Sequence, residues 1–449
     1  MQRLLKRFLA LIMVSVCTVG FALPACAQAT LDDILKRVEA LEKENAALKA
    51  EVMALKEKPA APAQVASAPV VSAPSTGNFL KTKFDMELYG FFKADMVYSD
   101  SEAATSSSGN STIAAYNAPY NPNKKHQGDF NVSGQSTRLG INVKPIALDN
   151  GGQVSGKFEM DFSANVGPTY QPRLRLAYVQ ADYDKWAVTA GQAWDFFAPI
   201  LPNTLNDAVV WRAGNMGFRH GQVYLTNKWG DVLGGKLNTK LGVIDSDDPY
   251  QENSGVPVVG AFAGYDTKIA GMVSSFNVGG IWGQNSTDLG WSSTTPGLEG
   301  GKSNDIYAVV LGSTVKMRDW LSLKAKGFTG AKLDDFYAGS STGVSNATTP
   351  FLSKGLRVIG GFTELCYLPV KKLETNFGLG VDELLTAKEN VVATAGTVWS
   401  SNKTYYTNMK YSLSKDLLLG LEYQHFDTHW VNGADSSDDR VQSSVILKF

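Results

Sequence analysis

The 449-residue chain carries 42 lysines and arginines against 43 aspartates and glutamates, a formal charge of -1. That excludes the basic surface a phosphate backbone requires, and no nucleic-acid partner is expected. With 43 glycines, 17 tyrosines and 44% apolar residues, the composition fits a turn-rich β protein better than a bundle of membrane helices.

Residues 1–27 have the layout of a secretory signal peptide. Arg3, Lys6 and Arg7 precede an apolar run from Phe8, and Ala25-Cys26-Ala27 supplies the cleavage site. A rival reading takes Leu23-Pro24-Ala25-Cys26 as a lipoprotein box with Cys26 lipidated, which Pro24 fits poorly. On either reading the chain leaves the cytoplasm. After Ala27 only Cys366 remains, so no intrachain disulfide can form, and the lone thiol reads as a small packed hydrophobe.

Residues 28–58 read as a parallel coiled coil. Leu31, Val38, Asn45 and Val52 take heptad position a, and Ile34, Leu41, Leu48 and Leu55 take d. The flanking pairs Arg37 with Glu42, Glu44 with Lys49, and Glu51 with Lys56 are all of opposite sign. By packing rules alone this core leans toward two strands. Residues 59–83 follow as a Pro/Ala-rich linker, with Pro62, Pro69 and Pro74, able to reach roughly 60 Å if extended.

From Phe84 to Phe449 the period becomes two. Phe84, Met86, Leu88, Phe92, Ala94, Met96 and Tyr98 are apolar, whereas Asp85, Glu87, Lys93 and Asp95 alternate with them. About sixteen such runs follow one another, each long enough to cross a bilayer as a tilted strand. Short turns such as YDK, KWGD, MRD and LSKD alternate with long polar loops, and Trp186, Trp229 and Trp320 stand at the short-turn ends. Charge runs through the middle of strand after strand, which a dry sandwich core cannot accommodate and a water-filled lumen can. The fold class expected is all-β and transmembrane: a 16-stranded antiparallel outer-membrane β-barrel preceded by a helical coiled coil. The chain finishes on RVQSSVILKF, alternating down to Phe449, a strand that must pair with the first to remove both edges.

Enzyme readings find no support. There is no G-x-S-x-G elbow, no H-E-x-x-H and no phosphate-binding G-x-x-x-x-G-K-S/T, so no catalytic residue, cofactor or metal is expected. The acidic clusters at Asp245 to Asp248 and Asp435 to Asp439 lack the ligand order of a calcium loop. His425 and His429 lie where a strand passes into a loop, so helical ligand spacing does not apply to them.

The words YGFFKADMVY on the first strand, QSTRLGI on the second, then GQAWDFF, GNMGFRHGQ and the terminal Phe449 stand in a characteristic order. In that order and spacing the mature chain resembles the trimeric outer-membrane porins of the DcaP-like type. The resemblance implies a homotrimeric channel for small hydrophilic solutes whose third long loop folds into the lumen. That loop runs from Asp195 to about Gly217 and contains Asp207 and Arg212. Arg138, Lys157, Arg173 and Arg175 on neighbouring strands would face it, and Arg219 and Arg357 join them as candidate pore-lining residues. The lumen positions carry about fourteen lysines and arginines against about eight carboxylates, which predicts a preference for anions such as dicarboxylates. The expected partners are outer-membrane lipid and lipopolysaccharide and the barrel-assembly machinery, which would read Phe449. Peptidoglycan is a further partner if the periplasmic coiled coil acts as a tether.

Overall fold

The computed structural model describes residues 84–101, 115–120, 128–166, 169–245, 256–286, 303–339, 356–386 and 398–449. All belong to the second of two compact units, residues 77–449. The expected leader, the heptads from Leu31 to Leu55 and the linker lie outside the described residues.

The strands are β1 (Met86–Ser99), β2 (Asp129–Ser133), β3 (Arg138–Ala147), β4 (Gln153–Val166), β5 (Thr169–Asp182), β6 (Trp186–Trp194), β7 (Arg219–Val232), β8 (Gly235–Ile244) and β9 (Val258–Ile269). They continue with β10 (Met272–Ser286), β11 (Ser303–Arg318), β12 (Leu321–Ala331), β13 (Arg357–Val370), β14 (Leu373–Leu384), β15 (Trp399–Ser412), β16 (Leu417–Trp430) and β17 (Asp435–Lys448). Each pairs antiparallel with its neighbours, and β1 pairs with β17, so the sheet closes on itself and leaves no edge. β2 and β3 are two pieces of one barrel strand, since β1 pairs with β2 through Asp95–Ser99 and with β3 through Met86–Phe91. The seventeen segments therefore make a sixteen-stranded barrel, as the alternation predicts.

The outward rows are apolar and exposed: Phe92, Phe158, Val179, Leu225, Leu311, Leu379 and Leu447 all face out. The alternate rows turn Lys93, Asp95, Glu159, Glu364, Asp382, Asn408, Glu422 and Gln442 inward, where they are buried. This inversion of a soluble protein suits hydrocarbon outside, where the strand ladders pair the backbones of neighbouring staves within the sheet. At the short-turn end, Leu233-Gly234 and Ala270-Gly271 take φ of 49°, 79° and 50°, 80°. Two positive φ values in a two-residue hairpin match the right-handed twist of the flanking strands. Trp186, Trp229 and Trp320 are exposed at that end, with Tyr183 stacked on Trp186 at 4.0 Å.

The apolar core lies inside the barrel. Phe196, Phe197, Met216, Phe328, Phe336 and Val358 pack there together, drawn from the barrel wall and from two loops that fold inward.

Candidate functional site

The loop between β6 and β7, residues 195–218, leaves the wall and crosses the lumen. Its neck is closed by Asp195, whose N–H donates to the Phe218 carbonyl at 2.9 Å. The Asp195 carboxylate accepts from the Phe218 N–H at 2.7 Å and meets His220 Nδ1 at 2.6 Å. Asp195 is only 2% exposed. Expected as the first residue of the inward loop and a pore-lining candidate, it is the latch of the loop's root, its oxygens taken up by backbone and imidazole.

Beyond the neck, wall side chains grip the backbone of the loop. Glu364 accepts from the Asn203 N–H, Glu422 from Leu205 and Asn206, and Asp382 from Gly214, at 2.6 to 2.9 Å. In return Lys93 donates to the Leu205 carbonyl, Lys324 to Leu201 and Lys410 to Asn203. Charge-assisted bonds of this kind are roughly twice as strong as neutral ones. Glycines on the facing strands make room for the loop. A Cβ at Gly279 would strike the Phe197 carbonyl, one at Gly380 the Ala213 carbonyl, and one at Gly420 the Leu205 side chain.

Two further segments join the loop. Leu333, Phe336 and Ala338, after β12, are buried against it, and Gly217 N–H donates to the Phe336 carbonyl at 2.8 Å. Residues 115–120 lie against the loop and the inner face of β15 and β16. Asn206 Nδ2 donates to the Ala115 carbonyl at 2.7 Å, and the Ala118 N–H donates to Thr428 at 3.0 Å. Arg212 belongs to this packing. Its guanidinium donates to the carbonyls of Asp334 and Gly339 and lies over the Tyr116 and Tyr337 rings, so it binds the three segments together.

The wall between β1 and the loop's root at β6 carries the basic ladder. Arg173 meets Asp161 through two bonds of 2.9 and 2.7 Å, and Arg175 bridges Glu159 at 2.7 Å and Asp161 at 2.8 Å. Arg138 lies 3.6 Å from Glu159, and Lys157 sits 4.7 Å above the Tyr89 ring. The placement of the two β5 arginines depends on an irregularity in register. Glu159 pairs with Leu176 and Met160 with Leu174, which leaves Arg175 as the extra residue of a bulge. Strict alternation from Tyr178 and Leu176 would send Arg173 and Arg175 outward. The bulge reverses the phase, Leu174 faces out instead, and both guanidiniums reach the inward carboxylates of β4.

Asp207 is the loop's contribution to this region. It meets Lys93 at 3.3 Å, its side chain is 32% exposed, and it lies in the field of Arg138 and Arg175. Burial raises its pKa, but the Lys93 ammonium and the two guanidiniums outweigh that and hold the carboxyl below its usual value. Arg219 opens β7 directly opposite Trp194. Its guanidinium lies 4.9 Å from that ring and 4.3 Å from Phe218, and it is 1% exposed. Arg357 stands on the exposed outward row of β13 with Ile359, while Val358 between them is buried. That corrects its assignment to the pore lining, because one residue of phase decides which side of a barrel wall a side chain takes.

Sequence reasoning missed Lys93, Lys326, Glu364, Asp382 and Glu422, which grip the loop, and the wall glycines that admit it. The available signal was a charged or glycine residue on the inward row of strands remote from the loop.

No protein-family model and no curated protein matches the sequence. Solved structures do resemble the fold. The outer-membrane channel DcaP of Acinetobacter baumannii matches with a TM-score of 0.63 at 18% identity, over 83% of this chain and 99% of that one. An anion-selective porin from Comamonas acidovorans gives 0.50 at 13% identity, over 81% and 99%. OprB of Pseudomonas putida gives 0.50 at 10% identity, over 81% and 94%. The sixteen-stranded barrel described above is therefore a fold this chain shares with these proteins.

Proposed function

We propose that the protein is a passive porin of the outer membrane, a water-filled channel for small hydrophilic solutes that favours anions such as dicarboxylates. One observation carries the reading: the loop is bound by Lys93, Lys326, Glu364, Asp382 and Glu422 of β1, β12, β13, β14 and β16, while Arg138, Lys157 and Arg173 of β3 to β5 stay partly exposed. Around that opening Lys93, Arg138, Lys157, Arg173 and Arg175 outnumber Asp95, Glu159, Asp161 and Asp207. A small positive excess in a confined, partly desolvated passage attracts anions and aligns dipolar solutes.

The heptads of residues 28–58, which precede the barrel in the sequence, support a parallel homo-oligomer, which we take to be a trimer, with the coil in the periplasm. No catalytic residue, cofactor or metal enters this reading. Single-channel recording of the purified protein under a KCl gradient tests it. Three equal conductance steps with a reversal potential on the chloride side are expected. R138E should move that potential toward potassium, and an unchanged value would remove the anion assignment. Correctly folded protein that passes no current would remove the porin reading itself.

A further inference from the structure

Lys326 stands on the inward row of β12, far around the wall from β6 and β7, and is 3% exposed. An ammonium has three N–H donors, and here the loop takes all three. Lys326 Nζ donates to the Ala198 carbonyl at 3.1 Å, to Asn215 Oδ1 at 2.7 Å and to the Met216 carbonyl at 2.9 Å. Ala198 lies on the limb that enters the lumen, and Asn215 and Met216 lie on the limb that returns. The other lysines that touch the loop meet its middle, at Leu201, Asn203, Leu205 and Asp207. Lys326 thus joins the two limbs just beyond the neck closed by Asp195 and Phe218.

We propose that Lys326 is the positioning residue of the constriction: it gathers both limbs of the loop and draws them against β12, leaving the passage beside Arg138 and Arg173 open. The conductance part of this proposal rests on the porin reading; the loop geometry does not. All three acceptors are neutral and buried with the ammonium, and losing it leaves them unmatched at the cost of a buried polar group. A loop so released loses its fixed distance from the basic ladder.

The test compares the native chain with K326M, an unbranched side chain of similar length without donors, and with K326R, which keeps donors and charge. Hydrogen–deuterium exchange is followed on peptides covering 196–217 and on the strands, using protein whose heat-modifiable gel mobility shows a folded barrel. In K326M the loop amides are expected to exchange at least tenfold faster with the strands unchanged, and the single conductance level should break into several. K326R should restore most of the slow exchange. Native loop exchange in K326M overturns the proposal, and so does acceleration spread equally over the strands. If K326M is not recovered folded, K326Q is measured in the same way. A native protein that conducts nothing would remove the porin reading while the exchange result still stood; normal conduction with unchanged loop exchange would remove this proposal alone.

Discussion

Glu422 on β16 accepts the backbone N–H groups of two successive loop residues, Leu205 at 2.6 Å and Asn206 at 2.9 Å, and a third donor from Asn408 at 3.0 Å. A carboxylate offers only acceptors, and all three donors match it. In E422Q one oxygen becomes an NH2 group facing those donors, and leaving one buried N–H unmatched costs about 1–3 kcal/mol. The tip of the loop should loosen while the barrel's strand ladder remains. Open-channel noise at least twice the native level, with unaltered heat-modifiable mobility, is the expected result. Quiet native current from E422Q would show that the tip needs no anionic anchor.

Gly380 and Gly327 make a matched pair on neighbouring parts of the wall. A Cβ at Gly380 would strike the Ala213 carbonyl and the Val210 side chain, whereas the nearest atom to one at Gly327 is 3.9 Å away. G380A should push the returning limb toward the basic ladder and lower unitary conductance by tens of per cent. G327A should leave it unchanged. Equal conductance in the two variants would mean that the loop absorbs the added methyl without moving.

The Asp207 carboxyl is held below its usual range, so the sign of its pH response follows. A depressed pKa keeps the group ionised as pH falls through the ordinary carboxylate range near about 3.9, and its pairing with Lys93 is lost only below that. The difference in reversal potential between native protein and D207N should therefore persist unchanged from pH 7 to about pH 4. A difference that fades near pH 5 would place Asp207 in an environment without the Lys93 contact.

Phe449 is the clasp of the barrel seam. It exchanges two backbone hydrogen bonds of 3.2 Å with Gly90, and its ring lies 5.2 Å from that of Phe92. Gly90 has φ of 156°, and a Cβ there would strike the Arg138 carbonyl. Both F449A and G90V should reduce the yield of folded barrel severalfold, G90V the more because it strains the backbone next to β3. Refolding in detergent, followed by gel mobility, measures this, and native yields from both would show that closure is secured elsewhere on β1 and β17.

What the sequence by itself determined was the wall. Alternation is a local property: Phe92 against Lys93, or Leu379 against Asp382, shows which face meets lipid, and the turns between the runs show where each strand stops. The sixteen strands and their closure follow from that pattern. The filling of the lumen does not, because the destination of a loop depends on side chains far from it in the chain. Asp195 and Asp207 are equally plausible pore carboxylates in sequence. Only the fold sends the first to His220 and the second to Lys93. Arg212 looks like a selectivity residue until Tyr116 and Tyr337 close on it. Strand order alone does not show the bulge that turns Arg173 and Arg175 inward. Arg357 was misplaced by the same single residue of phase. Periodicity reports the average direction of a strand; register shifts and long-range anchors, which the tertiary structure alone decides, determine which charges face the water.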